Sequence, residues 1–426
     1  TLSYAPIDPV GALGSWESAT YVLPLSIVSQ QVFSLLNGST AVEKETVLSE
    51  LEVNGIDFDQ RRATLFDSDA TVLRDTEEGL RYLVPDEATG ERVVQEGFDT
   101  DRLFIGGGVL YDDALDYPLP LAGFNYFSFD LRGTGAQANV FFGGVLLDAT
   151  LSDPDFLGSR FDAGVEAFAL AVPFTDEVFD DDEEVPAEEV ERRTSNVEFT
   201  LGHPLGAYAK LNLEYQLTYT AFGESDDTAP EFVVPEDHFT HTVGLSARYN
   251  RAGWRLRLAG DWNRRSDWEA WGLPDQPFDP EAEDYLRWGV NAAKSFHLPR
   301  FQRIGFDVDY LDGQDLDRFS KYGFGYFSAV RVHGYQSARV QAERALGTHA
   351  SYGFEVGEVF RLELVGDAVW ATDEETGLED ELLGGAGLVG QFLGPWQTLV
   401  QLDLGVPVAG PDDGFVLFLA FLKLFR

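Results

Sequence analysis

Long segments of this chain alternate between apolar and polar residues. The clearest runs from 207 to 222, where leucines such as Leu211 and Leu213 share one face with tyrosines. Polar side chains fill the positions between them, and a period of two indicates an extended strand with one apolar face. About fifteen residues of alternation is long for a strand of a globular protein. Segments 238–250 and 252–264 repeat the pattern.

Beyond about residue 100 the chain divides into sixteen segments of this kind. They are predicted at 103–111, 122–130, 137–143, 145–151, 160–174, 194–204, 207–222, 238–250, 252–264, 284–297, 302–312, 345–356, 358–371, 382–392, 396–407 and 414–425. Short turns alternate with long polar loops between them, which is how membrane-spanning β-barrels are built. The long loops fall at 175–193, 223–237, 265–283, 313–344 and 372–381. We therefore predict an all-β fold, a sixteen-stranded antiparallel transmembrane β-barrel, over residues 101–426.

Aromatic residues on the apolar faces mark the levels at which such a barrel would meet the two edges of a membrane. Trp254 and Trp262 lie on the apolar face of one segment, and Tyr215 and Tyr219 on that of another. Strand rise and tilt separate the two tryptophans by roughly 20 Å along the barrel axis, close to the spacing of aromatic girdles. These four residues are the predicted membrane girdle. Alternation alone also allows a soluble sandwich or propeller, but strand length and turn asymmetry argue against it.

Residues 1–100 lack the long alternation. We predict an irregular N-terminal extension there, periplasmic or plug-like, with a helix near 42–52. No run of about eighteen apolar residues occurs anywhere in the chain, so no membrane helix is predicted. The sequence starts at Thr1 without a signal peptide, and we expect that any targeting segment has been removed.

The charge balance excludes one class of partner. The formal net charge is -43, with 73 acidic and 30 basic residues. Such a surface repels phosphate backbones, so no nucleic-acid binding is expected. Cysteine is absent, so neither a disulfide nor a thiolate metal site is possible. The acidic loops 175–193, 223–237 and 265–283 are predicted to lie outside the cell, where water and counterions solvate them.

A stretch rich in glycine and aromatic residues precedes two alternating strands in the last third of the chain. Residues 322–336 have no settled period and are predicted to be a loop, which carries Arg331 and His333. On the two strands that follow, Glu355 and Asp367 both fall among the polar positions. Two neighbouring strands would therefore place both carboxylates on one polar face, close to the end of this loop.

These residues resemble motifs of the outer-membrane assembly and secretion superfamily that includes BamA, TamA and the two-partner secretion transporters, the bacterial surface antigen barrels. The stretch Val-His-Gly-Tyr at 332–335 is similar to the Val-Arg-Gly-Phe/Tyr motif of the family's inward-folded sixth loop. Gly353-Phe354-Glu355 matches its Gly-x-Glu motif on strand twelve, and Val365-Gly366-Asp367 partly matches Phe-x-Asp on strand thirteen. The resemblance covers 101–426 and is most specific over 330–425.

The resemblance implies a barrel of the Gram-negative outer membrane whose partners are outer-membrane lipid and protein clients or partner proteins. The family's periplasmic receptor (POTRA) domains are not found ahead of the barrel in this sequence. We therefore expect a barrel of the BamA-like type without them, and the handling of polypeptide clients stays an open question.

The resemblance also implies that a cation of the loop is held against Glu355 and Asp367 on the lumen wall. His333 stands where the family has arginine, and Arg331 lies two residues earlier. We expect Arg331 to make the charged contact, because arginine stays charged at every relevant pH, and Gly334 to permit a sharp turn. The alternative is that these are ordinary polar residues of the lumen. The predicted loop anchor consists of Arg331, His333, Gly334, Tyr335, Gly353, Glu355 and Asp367.

Other sequence patterns give only weak evidence for a binding or catalytic site. Residues 385–390 formally fit a dinucleotide fingerprint, but they lie inside a strand pattern and open no helix, which favours strand packing. The acidic run in 176–191 lacks the spacing and the glycine of a calcium loop, and the six histidines show no metal-ligand spacing. Neither a nucleophile elbow nor His-Glu-x-x-His occurs. We therefore predict no enzyme, no cofactor and no metal site.

Three function classes stay open at this point. The first is a factor that inserts or translocates proteins or lipids, which the resemblance implies. The second is a scaffold barrel that anchors partner proteins, favoured by the missing receptor domains and the extra N-terminal hundred residues. The third is a passive porin, which is disfavoured because a loop folded into the lumen would plug it.

Overall fold

The chain divides into two compact units, Thr1–Asp99 and Thr100–Arg426. The structure is a computed structural model. It describes residues 2–7, 21–35, 38–47, 57–68, 72–76, 79–86, 89–94, 101–112, 115, 117–180, 183–274, 276–278, 283–298, 302–326, 328, 330–336, 340–356, 360–373, 378–394, 398–411 and 414–425. Among these residues, no helix has the length and apolar character needed to cross a membrane.

The second unit is a closed barrel of sixteen antiparallel strands. In chain order the strands are β1 (Asp101–Tyr111), β2 (Leu119–Ser128), β3 (Gln137–Phe142), β4 (Leu146–Asp153), β5 (Asp162–Leu170), β6 (Val190–Pro204), β7 (Ala209–Glu224), β8 (His238–Arg251), β9 (Trp254–Arg265), β10 (Asp284–Leu298), β11 (Gln302–Gln314), β12 (Arg344–Val356), β13 (Phe360–Asp373), β14 (Leu378–Gly394), β15 (Thr398–Ala409) and β16 (Val416–Phe425). A short segment, Phe174–Asp176, extends β5 and also pairs with β6. The predicted sixteen-stranded barrel is confirmed.

The barrel closes between its last strand and its first. β16 pairs with β1 in continuous register, from Leu417 opposite Tyr111 to Phe425 opposite Leu103. Every strand of the sheet therefore has a neighbour on both sides, and no open edge is left to pair with other chains.

The alternation of the sequence separates the outside of the barrel from its lumen. Leu213, Leu258 and Leu364 expose about half of their surface on the outer face, at 52%, 57% and 51%. The neighbouring polar positions are turned inward, and Asn212 and Asn263 are buried. A barrel that is apolar outside and polar inside is suited to apolar surroundings and a wet lumen.

The four aromatics predicted as a girdle all point outward. They are Trp254, Trp262, Tyr215 and Tyr219, and each is exposed. The hydroxyl of Tyr219 donates to Oδ2 of Asp237 at 2.8 Å. An outward ring with a satisfied polar tip is what an aromatic residue at a membrane–water boundary requires.

The first unit holds more regular structure than its sequence pattern predicts. Leu2–Ile7, Tyr21–Leu35 and Gly38–Val47 form one antiparallel sheet, Val72–Thr76, Gly79–Pro85 and Arg92–Val94 form another, and helix α1 spans Phe58–Phe66. The helix predicted near 42–52 is wrong as far as residue 47, and 48–52 lie outside the described residues. The stretch Ala-Val-Glu-Lys-Glu at 41–45 favours a helix locally, but its pairing with Tyr21–Leu35 overrides that weak preference.

Candidate functional site: an anchored loop inside the barrel

The loop that joins β11 to β12 folds back against the inner wall of the barrel. Its apolar side chains Val330, Val332 and Tyr335 are buried. They share one apolar cluster with residues of β12, β13 and β14, namely Ala345, Val369, Ala371 and Leu383. The hydroxyl of Tyr335 also donates to the backbone carbonyl of Ala409 at the end of β15. The loop therefore lies inside the barrel, and its tyrosine packs against the wall as expected.

Residues 332–335 form a tight turn, called the hairpin below, that packs closely against glycines and backbone atoms of the wall. Gly334 has φ +90°, and a Cβ added there would overlap the backbone of Val406 and Pro407 on β15. On the wall, Gly405 lies against the backbone nitrogen of Gly334, and a Cβ on Gly387 would come within 2.5 Å of the His333 ring. The glycine-rich stretch 385–390 thus serves packing, because it makes room for this hairpin.

His333 is held by Asp367 of β13. Its backbone N–H donates to Oδ2 of Asp367 at 2.7 Å, and its ring Nδ1 lies 2.7 Å from the same oxygen. His349 of β12 stands directly opposite Asp367 in the strand register, and its Nδ1 contacts the other carboxylate oxygen. One carboxylate therefore binds three nitrogens. The side chains of His333 and Asp367 are only 3% and 1% exposed.

Arg331 binds a different carboxylate from the two that were expected. Its Nη2 pairs with Oδ2 of Asp403 on β15, whose side chain is buried. The guanidinium carbon also lies 4.7 Å from the ring centroid of Tyr326, in the same loop. Burial raises the pKa of the Tyr326 phenol, so this ring stays neutral beside the cation. The charged contact of Arg331 thus joins the loop to β15 rather than to β12 or β13.

Glu355 and Gly353 lie away from the hairpin, which corrects the predicted anchor. Glu355 is exposed and pairs in register with Arg361, six residues before Asp367 on β13. Six residues of strand correspond to about 20 Å. Gly353 pairs with Glu363, four residues before Asp367. Both residues follow the expected alternation, but they lie at another height of the barrel.

Two residues of the site escaped the sequence analysis. Asp403 is the single charged residue of β15, and an isolated carboxylate of that kind signals a required partner. His349 lies sixteen residues from His333 along the chain, so ligand spacing could not connect them. Together with Asp367, the two histidines offer one donor atom each within 4.8 Å of one another, which among the described residues is a group able to hold a metal ion.

The same loop is also fixed on the far side of the barrel. Nε of Arg318 donates to Oδ1 of Asp176 at 2.9 Å, and Nη2 donates to the backbone carbonyl of Asp176 at 2.6 Å. Its Nη1 donates to the carbonyl of Glu188 at 2.8 Å. Asp176 ends the continuation of β5, and Glu188 lies in the connection from there to β6. These strands lie roughly opposite β12 and β13 in the ring. The loop therefore spans the lumen.

Two buried ion pairs fasten this part of the loop to the strands. Nζ of Lys321 lies 2.9 Å from both carboxylate oxygens of Asp373, at the end of β13. Arg265, at the end of β9, pairs with Asp317, with Nη2 2.8 Å from Oδ1. Paired charges out of contact with water hold a geometry firmly, because separating them leaves each one buried without its counter-ion.

The closed ring of sixteen strands gives this chain a barrel fold that is similar to solved structures of other proteins. CdiB from Escherichia coli is similar, with a TM-score of 0.54 at 12% identity over 87% of this chain and 70% of that structure. This supports the resemblance at the level of the fold.

Two further solved structures match over most of this chain. CdiB from Acinetobacter baumannii is 8% identical, with a TM-score of 0.49 over 84% of this chain, which spans 66% of that structure. BamA from Haemophilus ducreyi lacking POTRA domains 1-3 is 10% identical, with a TM-score of 0.49 over 94% of this chain and 90% of that structure. No family model matches the sequence, and no curated protein matches it.

Proposed function

We propose that this protein is an outer-membrane barrel of the assembly and secretion type, which inserts or translocates proteins or lipids or anchors a protein complex. The observation that carries the proposal is the loop between β11 and β12. It crosses the lumen and is fastened on one side at 332–335 and on the other through Arg318. A passive porin needs an open, water-filled channel, so an anchored crossing loop argues against that class.

Residence in the bacterial outer membrane is supported by the outward apolar face and its aromatic girdle. The long loops between β5 and β6, β7 and β8, and β9 and β10 leave the barrel at one end. They carry the acidic stretches that we expect to face the outside of the cell, where they would be solvated.

The membrane-facing surface can be tested at Leu258, which lies midway between Trp254 and Trp262 on the outer face of β9. We expect Leu258→Arg to lower the free energy of unfolding by about 2–4 kcal/mol, because arginine at the bilayer midplane is costly. The measurement is denaturant unfolding of the barrel reconstituted in lipid vesicles. The matched control is Gln216→Arg, which points into the lumen and should change stability by less than about 0.5 kcal/mol. Equal costs for the two variants would contradict the assigned faces.

Insertion and scaffold roles are separated by what the protein binds. We propose cross-linking in native outer membranes followed by purification of the full chain. Many clients in small amounts would support an insertion or translocation factor, whereas a single partner at equal stoichiometry would support a scaffold. A protein that captures neither and conducts as a wide, constantly open pore would overturn the proposal.

The plugging role of the loop predicts a conductance change. We expect the double variant Asp367→Ala/Asp403→Ala to open several-fold more often in planar bilayers than the wild type, because the hairpin loses both of its carboxylate contacts and Arg331 loses its counter-ion. The control is Glu355→Ala, an exposed carboxylate at another height of the wall. If the control opens the channel equally, or if the wild type already conducts as freely as the double variant, the loop does not plug the lumen.

A further inference from the structure

Three side chains from three different elements direct donor atoms at one point of the lumen wall. His333 comes from the loop, His349 from β12 and Asp367 from β13, and one donor atom of each lies within 4.8 Å of the others. Two imidazoles and one carboxylate form a donor set that suits zinc and other divalent transition metals. We propose that these residues bind such an ion, and that the ion joins the loop hairpin to the barrel wall.

Hydrogen bonds now hold the three side chains together, and small movements of their donor atoms would make room for an ion. Nδ1 of His333 lies 2.7 Å from Oδ2 of Asp367. Zinc bonds of about 2.0–2.2 Å in a tetrahedron hold neighbouring donor atoms roughly 3.3–3.5 Å apart. Nδ1 of His333 and Oδ2 of Asp367 therefore need to separate by less than about 1 Å, whereas donor atoms that lie up to 4.8 Å apart need to approach by about 1.3 Å. The side chain of His349 is 35% exposed, which leaves a path for an ion from the lumen.

The second ring nitrogen of His333 supports the proposal independently. Nε2 is buried without a hydrogen-bond partner, and it lies 4.0 Å from Oδ1 of Asp403. When a neutral His333 donates from Nδ1 to Asp367, Nε2 turns a lone pair toward a second carboxylate. When Nδ1 instead binds an ion, Nε2 carries the proton and directs it toward Asp403, which would accept it after the ring shifts by about 1 Å. A ligating histidine with a carboxylate behind its other nitrogen is the usual arrangement around protein-bound metals.

The surroundings favour an added cation. The carboxylates of Asp367 and Asp403 face His333. Among the described residues of the loop, Arg331 is the only arginine or lysine at this point, and it pairs with Asp403. Asp307 of β11 stands opposite His349 in the register and pairs with Arg255 at 3.6 Å. The backbone N–H of His333 already fixes the carboxylate that would bind the ion. In a neutral imidazole the ion would displace the Nδ1 proton, and the ring would then carry its proton on Nε2.

The test uses the full chain in detergent, stripped with a chelator and then given Zn²⁺. Metal analysis after gel filtration measures stoichiometry, and competition with a chromophoric chelator measures affinity. We expect one Zn²⁺ per chain, bound at least tenfold more weakly by His349→Gln, which leaves the contacts of His333 with Asp367 in place. The control is His241→Gln, an exposed histidine elsewhere on β8, which should bind as the wild type does. Heat-modifiable migration on gels verifies that each variant is a folded barrel.

A second measurement distinguishes this site from adventitious zinc. Hydrogen exchange at 332–335 should slow when Zn²⁺ is added to the wild type and to His241→Gln, but not when it is added to His349→Gln. The proposal is wrong if the wild type binds Zn²⁺ no more tightly than the double variant His333→Gln/His349→Gln. It is equally wrong if zinc leaves exchange in the hairpin unchanged. In either case the loop is held to the wall without a bound ion.

Discussion

Replacing Gly334 by alanine is expected to detach the hairpin at 332–335 from the barrel wall. Its backbone has φ +90°, and a Cβ would overlap the backbone of Val406 and Pro407 on β15. The left-handed conformation costs a residue with a side chain about 1–2 kcal/mol, and forced overpacking adds about 1–3 kcal/mol. Because strand backbone cannot move aside within a closed sheet, the loop has to move. Hydrogen exchange at the amides of 332–335 should become at least tenfold faster.

Gly133→Ala provides the matched control. Gly133 lies in the turn between β2 and β3 with φ +74°, and nothing lies within 4 Å of the position of an added Cβ. It carries the same backbone cost without the collision, and exchange at the hairpin should not change. If Gly133→Ala and Gly334→Ala alter the hairpin equally, or if neither does, close packing against β15 does not hold the loop.

Replacing Asp373 by alanine is expected to destabilise the barrel by about 3–5 kcal/mol. Asp373 and Lys321 are 1% and 3% exposed, and the lysine lies 2.9 Å from both carboxylate oxygens. The variant leaves an ammonium group buried without this counter-ion, which costs far more than the intact pair contributes. The measurement is the free energy of unfolding in denaturant.

The double variant Lys321→Met/Asp373→Leu separates loss of the pair from burial of an ammonium group that has lost this carboxylate. It removes both charges and keeps similar volume, so we expect stability within about 1 kcal/mol of the wild type or above it. If the double variant is as unstable as Asp373→Ala, the pair itself contributes the stability, through contacts that the apolar side chains cannot replace.

Gly334→Ala and Asp373→Ala both weaken the attachment of the same loop, which contacts several strands through chemically different interactions. The hairpin is held by Asp367 and Asp403, and the base of the loop by Asp373 and Asp176. In the superfamily that this chain resembles, an arginine occupies the position of His333. Here the imidazole binds Asp367, and Arg331, two residues earlier in the loop, binds Asp403 on a different strand.

The sequence by itself determined the number of strands, their faces and the identity of the loop. A period of two is a local property, and each strand shows it without its neighbours, so Leu213 and Trp254 could be placed outside. The inward placement of Asp367 follows from the same rule. The loop could be recognised because glycine and aromatic residues at 322–336 interrupt the period.

Only the tertiary structure decided which inward residues meet. Glu355 and Asp367 share a face but stand about 20 Å apart along the strands, because the register between β12 and β13 pairs Asp367 with His349. Asp403 comes within reach of Arg331 because closure of the ring fixes the path of the loop across β14 and β15. Alternation assigns each residue to a side of the wall. Its height on the wall depends on hydrogen-bond register summed over the whole barrel, which no single segment encodes.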